Sequence, residues 1–113
     1  MPHKNHHLSP DQLRPIAVGY GAAYATDRIT VDGAKVGYCY REEPDSELDS
    51  GWRFFAGDES QEYADNPDNI ALYDINTIAN CDPSITAILE SPAGSAYERD
   101  DTGQLVAVYD SEA

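Results

Sequence analysis

The sequence has 113 residues, of which 41% are hydrophobic, and this length corresponds to one domain with a single core. Seven basic residues against 21 acidic ones give a formal net charge of -14, which argues against binding to nucleic acid or to anionic membranes, because both depend on Lys and Arg. Such a charge favours solubility, and it can also speed the encounter with a basic partner.

Residues 1–15 are predicted to form a flexible N-terminal tail, because this segment is polar and interrupted by prolines. His3, His6 and His7 lie in it without a fourth ligand nearby, so no metal site is predicted. The segment has no apolar region typical of a signal peptide, and no later stretch approaches the roughly 18 apolar residues of a membrane-spanning helix. We therefore expect a cytoplasmic protein that does not bind membranes.

The first part of the predicted domain indicates two antiparallel strands. Ile16–Val31 is apolar and rich in small residues, and Asp32–Gly33 is a turn signal before a second apolar run at Lys35–Glu42. Residues 42–51, EEPDSELDSG, then form a predicted acidic loop that ends in a turn.

A short strand is predicted at Trp52–Gly57. Alternation along this strand places Trp52 and Phe54 on one face and Arg53 and Phe55 on the other, so that each face carries an aromatic ring.

A short helix is predicted at residues 59–64. Asp58 is the expected N-cap, because Gln61 follows three residues later as in a capping box. Pro67 disfavours helical geometry in the residue before it and ends the helix.

The next elements are a strand at Ile70–Ile75, one helical turn at residues 76–80, and a helix capped by Asp82 with Pro83 at its first position. We expect this last helix to pack on the sheet through an apolar stripe. The stripe consists of Ile85, Ile88 and Leu89.

The chain is predicted to close with a hairpin of strands at residues 95–99 and 104–110. This order of elements lacks regular βαβ alternation and favours an α+β fold with a largely antiparallel sheet and short helices packed on one face. The predicted single domain covers residues 16–109, and residues 110–113 are expected to fray. Cys39 and Cys81 are too few for a disulfide scaffold, and two buried free thiols are favoured over one disulfide.

Patterns that indicate catalysis or cofactor binding are not found in the sequence. All histidines lie in the predicted tail, so no His-dependent triad is available to the domain, and no glycine-rich phosphate loop is present. The DNPDN run at residues 65–69 lacks the glycine and distal glutamate of a calcium loop. We therefore predict a protein that is not an enzyme and has no cofactor or metal.

A cluster of charged and aromatic residues around Trp52 is the candidate partner-binding site. One interpretation is structural: Arg41 and Arg53 pair with neighbouring carboxylates and fix the turns. The other is a recognition patch, because Trp, Tyr and Arg dominate interface hot spots. The candidate residues are Arg41, Glu42, Glu43, Asp45, Glu47, Asp49, Trp52, Arg53, Asp58 and Glu59.

Three segments in order, DRITVDGAKVGYCYREEPD, DSGWRFFAGDESQEYADNPDNIALYDINTIANCDPSI and SPAGSAYERD, resemble the bacterial family grouped as the immunity protein Imm33-like domain. The resemblance runs from Asp27 to Asp100. Its hallmarks are matched by Arg41–Glu42, Asp49–Trp52 and Gly57–Glu59. The resemblance implies an α+β fold and a role in neutralising a toxin used in competition between bacteria.

Three hypotheses about function follow from these observations. In the first, the protein binds and blocks a cognate toxin, which the acidic charge suggests is basic. In the second, it is a small-ligand-binding protein or an enzyme that uses the Arg and carboxylate cluster in a pocket lined by Trp52, Arg41 and Asp49. In the third, residues 49–60 have a structural role only.

Overall fold

The computed structural model describes His6, Leu8 and residues 10–108. Within these residues, six strands are interspersed with three α-helices and three 3₁₀ helices. The strands are β1 (Ala22–Thr26), β2 (Tyr38–Arg41), β3 (Asp49–Phe55), β4 (Ile70–Asp74), β5 (Ala96–Arg99) and β6 (Leu105–Ala107). The α-helices are α1 (Asp27–Thr30), α2 (Gln61–Asp65) and α3 (Ile75–Cys81), and 3₁₀ helices lie at Pro10–Gln12, Pro67–Asn69 and Pro83–Ala87.

The strands form one sheet in the order β4-β1-β3-β2-β5-β6. The β1–β3 pair is parallel, and the four other pairs are antiparallel. The predicted α+β fold with a largely antiparallel sheet is therefore confirmed, as are the strand at β4 and the closing β5–β6 hairpin.

The predicted hairpin across Asp32–Gly33 is wrong. Residues Asp27–Thr30 form α1, and β1 pairs with β3 and β4 rather than with β2. The apolar run that suggested a long strand is divided, because a helical turn buries Ile29 and Thr30 and packs α1 on α3.

One face of the sheet is covered by α1, α3 and the 3₁₀ helix at Pro83–Ala87, all of which contribute buried side chains. Trp52 and Phe54 lie on this covered face and stack at 5.7 Å between ring centroids, as their alternation with Arg53 predicts. The predicted stripe is also buried: Ile85, Ile88 and Leu89 are each at most 6% exposed. Burial of apolar side chains between one sheet face and the helices is the main source of stability in such a two-layer arrangement.

Several local boundaries differ from those predicted. β3 begins at Asp49, so Asp49–Gly51 is strand rather than turn. α2 begins at Gln61 and is capped by Ser60, whose Oγ accepts a hydrogen bond from the Tyr63 amide at 3.0 Å. The predicted cap, Asp58, is bonded to Arg28 instead. The predicted turn at residues 76–80 is the longer α3, whereas the Asp82 cap is confirmed by its hydrogen bond from the Ser84 amide.

Cys39 and Cys81 are free and buried, as favoured from the sequence. Burial raises the pKa of the Cys39 thiol to about 12 and also raises the pKa of Cys81. Neither thiol is therefore ionised at neutral pH.

The ends of the chain are described only in part. Residues 1–5, 7, 9 and 109–113 lie outside the described residues, including the whole segment predicted to fray at residues 110–113. Within the described part of residues 1–15, the backbone of Arg14 is hydrogen-bonded to the side chains of Asn76 and Asn80 on α3. The boundaries of the flexible tail and of the 16–109 domain remain predictions.

Candidate functional site

A buried ion pair joins two side chains of β3. Asp49 and Arg53 are four residues apart, so their side chains share one face of the strand. Arg53 Nη1 and Nη2 donate to the two carboxylate oxygens of Asp49 at 2.8 and 2.9 Å, and both residues are buried. The hydrogen bonds from Arg53 hold the pKa of Asp49 well below its usual range.

The loop between β2 and β3, residues 42–48, is called the acidic loop below. Asp49 fixes it from inside, because its carboxylate also accepts hydrogen bonds from the backbone amides of Asp45 at 2.8 Å and Gly51 at 2.9 Å. Arg53 Nε adds a bond of 2.6 Å to Glu42 at the start of the loop. Two side chains of β3 therefore anchor the loop at Glu42 and Asp45, and the backbone bond from the Ala22 amide to the Leu48 carbonyl holds its end.

Gly51 permits a close approach between β3 and the acidic loop. Its φ is +97°, a conformation that side chains other than glycine rarely adopt, and a Cβ at this position would overlap the carbonyl oxygen of Glu42. The Glu42 amide donates to the Gly51 carbonyl at 2.9 Å across the same contact. This close contact explains why the DSGW segment has glycine at position 51.

The acidic loop exposes three carboxylates that are not used to build it. Glu43, Asp45 and Glu47 are exposed, and among the described residues their carboxylates have no hydrogen-bond or ion-pair partner. Glu42 differs from them because its carboxylate is bonded to Arg53. The loop is thus a fixed backbone with three free negative charges at its surface.

Arg41 and Trp52 support the site from the covered side of the sheet. Arg41 donates to the carbonyls of Ser50 at 3.0 Å and Ser91 at 2.7 Å, and its guanidinium carbon lies 5.9 Å from the centroid of the Trp52 ring. Trp52 is 1% exposed and donates from Nε1 to the Leu89 carbonyl at 3.3 Å. Both side chains therefore tie the strands to the segment after the last helix.

The family model described as the Immunity protein Imm33 domain matches residues 23–109. The chain belongs to the Imm33 domain family. No curated protein and no solved structure matches it. The matched part includes β1 from Ala23 onwards, the strands β2 to β6, the acidic loop and the Asp49–Arg53 pair.

Asp58 and Glu59 lie at a second place in the Imm33 domain, beyond the other end of β3. Asp58 accepts hydrogen bonds from Arg28 at 2.6 and 3.0 Å, and Glu59 accepts from Thr26 Oγ1 at 2.6 Å and the Ala56 amide at 2.8 Å. A seven-residue strand is about 20 Å long, so these carboxylates are not part of the acidic loop. The sequence-predicted site is divided between the two ends of β3.

Aromatic residues outside the predicted site lie on the uncovered face of the Imm33 sheet. Tyr24, Tyr38, Tyr40 and Phe55 are half-buried there, and the Tyr40 and Phe55 rings stack at 6.1 Å. The alternation of tyrosines around Cys39 is the sequence signal for this face. It was missed because the tyrosines could not be distinguished from core residues.

Two grooves border this aromatic group, with volumes of about 630 and 840 Å³. Arg41 lines the smaller groove, but neither groove is lined by Trp52 or Asp49. The pocket that the small-ligand hypothesis requires is therefore not formed by either of them.

Among the described residues, no group of three or more His, Cys, Asp or Glu side chains could hold a metal ion, and no helix is long and apolar enough to cross a membrane.

Proposed function

We propose that this protein is a non-catalytic immunity protein that acts in the cytoplasm by binding a toxin, and that the toxin presents a basic surface to the acidic loop. The family supports an immunity-type function in which a toxin is the protein partner. The observation that carries the proposal is the acidic loop itself. A buried ion pair holds its backbone, and three of its carboxylates are exposed and have no partner within the described part of the chain.

The charge of the loop suits a role in recognition. Exposed ion pairs contribute only about 0.2–1 kcal/mol each, so three of them do not by themselves make a tight complex. Their larger effect is on the rate of association, because a net charge of -14 attracts a cationic partner over a distance that salt shortens. On a basic partner such as a nuclease, the acidic loop would bind at the site that the partner uses for phosphates.

The fixed path of the loop also supports binding. A loop that is already held in place by Asp49 and Arg53 loses little conformational freedom when a partner docks. Its carboxylates are therefore presented in one arrangement, which favours specificity for a partner with matching charges.

The internal bonds of the remaining candidates support binding rather than catalysis. Asp49 and Arg53 bind each other, and Arg41 donates to two backbone carbonyls. A catalytic acid or base needs access to substrate, whereas Asp49 and Arg53 are buried and bonded to each other. The exposed candidates are the loop carboxylates and Asp58, and Arg41 and Glu59 are half-buried.

Capture of the tagged protein from its native cell lysate at low and high salt, followed by mass spectrometry, tests the proposal. The wild type is compared with a loop variant, Glu43→Gln with Asp45→Asn and Glu47→Gln, and with a control variant that removes the same charge elsewhere, Glu62→Gln with Asp68→Asn and Asp101→Asn. We expect a stoichiometric basic protein with toxic activity that is bound by the wild type and the control and is retained less by the loop variant. Equal retention by all three proteins would remove the acidic loop from the interface, and recovery of no protein partner would contradict the binding function.

A further inference from the structure

The uncovered face of the sheet carries a group of aromatic rings at its centre. The rings of Tyr38, Tyr40 and Phe55 lie within 5.9 to 6.3 Å of one another, across the paired strands β2 and β3. Their side chains are half-buried, and Ala64 of α2 lines the groove beside them. Aromatic faces attract cations, because the ring quadrupole is negative above and below the ring plane.

The charges on this face are mainly carboxylates. Alternation along the strands places Glu42, Asp74 and Glu98 on it, together with the buried Asp49–Arg53 pair. Glu98 is exposed and lies opposite Tyr38 in the β2–β5 ladder. Its carboxylate has no hydrogen-bond or ion-pair partner among the described residues.

The same face already binds one guanidinium group. The guanidinium carbon of Arg53 lies 4.8 Å from the centroid of the Tyr24 ring, and the group is bonded to the carboxylates of Asp49 and Glu42. A ring combined with carboxylates is therefore an arrangement that holds arginine in this protein. Tyr38 with Glu98 repeats that combination, with no arginine of the described chain bound to it.

A groove of about 840 Å³ gives access to this second combination. It is lined by Tyr38, Tyr40, Phe55 and Glu98, with Asp58 and Glu59 among its other residues. The cations that also line it are engaged elsewhere: Lys35 Nζ lies 3.4 Å from the Cys81 carbonyl, and Arg99 is bonded to Asp82 at 2.6 Å.

We propose that this uncovered face, centred on Tyr38, Tyr40, Phe55 and Glu98, binds arginine side chains presented by a basic protein partner. The inference rests on the proposed function and adds to it a second contact surface and the type of side chain that this surface recognises. A second copy of the same chain fits the face less well, because it brings the same charge of -14 and, among the described residues, no unpaired arginine on the equivalent face.

Nuclear magnetic resonance titration of the purified protein tests this site without any toxin. The probe is the peptide acetyl-Gly-Arg-Gly-Arg-Gly-amide, and the control is the same peptide with citrulline at both arginine positions, which removes the charge and keeps the shape. We expect the ring resonances of Tyr38, Tyr40 and Phe55 to shift with the arginine peptide only. Equal shifts with both peptides, or shifts confined to the acidic loop, would overturn the proposal. Ring resonances that depend on protein concentration without peptide would indicate that a second copy binds the face, and would overturn it as well.

Two substitutions make the test specific. Glu98→Gln and Tyr38→Leu should each weaken binding of the arginine peptide by about two- to five-fold, whereas Glu62→Gln on α2, which removes the same charge, should leave it unchanged. An equal effect of Glu98→Gln and Glu62→Gln would reduce the interaction to net charge and reject the site. The two proposals can fail separately: a toxin that is bound by the wild type and by the Tyr38→Leu variant with the same affinity would reject the aromatic face and leave the immunity function in place.

Discussion

The guanidinium of Arg53 and the carboxylate of Asp49 form two parallel hydrogen bonds, of 2.8 and 2.9 Å, between side chains on the same face of β3. The carboxylate also accepts the Asp45 and Gly51 amides, so one buried acid joins a strand to the loop that precedes it. A buried pair of this kind is costly to break, because removal of one partner leaves the other charged and incompletely bonded.

The first prediction concerns the pH dependence of this pair. Its hydrogen bonds depress the pKa of Asp49 in the folded protein, so the stability that it contributes is fully present above the unfolded pKa of about 4 and is lost as the pH falls from there towards the folded value. Asp49→Asn should lower the free energy of unfolding by about 3 kcal/mol or more at pH 7. The difference from wild type should shrink progressively below about pH 4.

Urea denaturation of both proteins between pH 7 and pH 2.5 measures this difference. Glu62→Gln provides a baseline for the removal of one exposed carboxylate. If the free energy of unfolding differs between wild type and Asp49→Asn by the same amount at every pH, the charge of Asp49 is not what stabilises the fold.

The second prediction concerns the speed of association with a captured basic partner. Neutralising Glu43, Asp45 and Glu47 together should lower the association rate constant at low salt by roughly three- to ten-fold and flatten its salt dependence, because these charges act before contact. Stopped-flow or surface-based kinetics at several salt concentrations provides the measurement. The variant with Glu62, Asp68 and Asp101 neutralised carries the same net charge, and an equal decrease in that control would assign the effect to the overall field.

The third prediction separates stability from recognition at Trp52. The ring is buried against Phe54 and under Leu89, so Trp52→Ala should lower the free energy of unfolding by about 3–5 kcal/mol. Affinity for the partner, corrected for the folded fraction, should remain close to wild type. Chemical denaturation followed by circular dichroism measures stability, and affinity is measured at denaturant concentrations below the unfolding transition. Weak binding by a fully folded variant would contradict the structural role.

The fourth prediction compares two glycines that have the same φ. Gly51 and Gly94 both have φ of +97°, but a Cβ would overlap the Glu42 carbonyl at Gly51 and would meet nothing within 4 Å at Gly94. Gly94→Ala should therefore cost only the backbone strain of about 1–2 kcal/mol, whereas Gly51→Ala should cost about 3 kcal/mol or more. Equal changes in the urea midpoints of the two variants would show that the β3 contact with the acidic loop is not tight.

Periodicity and capping signals predicted the elements that depend on neighbouring residues. Alternation correctly separated Trp52 and Phe54 from Arg53, and the Asp82–Pro83 pair correctly marked the start of a helix. The Asp32–Gly33 turn signal was misleading because strand pairing is decided by distant residues. β1 lies between β3 and β4, and nothing in the residues around position 32 encodes that position.

The candidate site was predicted in composition but not in arrangement. One of the two interpretations was that Arg41 and Arg53 pair with neighbouring carboxylates. It holds for Arg53, which binds Asp49, and is wrong for Arg41, which donates to the backbone carbonyls of Ser50 and Ser91. The predicted strand at Trp52–Gly57 already separated Asp49 from Asp58 and Glu59, which lie beyond its other end. The sequence could not show that Tyr38 and Tyr40 face away from the helices, because this depends on which sheet face the helices cover.

The parallel pairing of β1 with β3 has a consequence for how the chain folds. Ala25 pairs with Phe54 although α1, β2 and the acidic loop lie between them in the chain, whereas β2 with β3 and β5 with β6 are joined by short connections. Local hairpins form with a small entropic cost of closure, and non-local strand pairs form more slowly. We therefore expect the two hairpins to form earlier than the parallel β1–β3 pair.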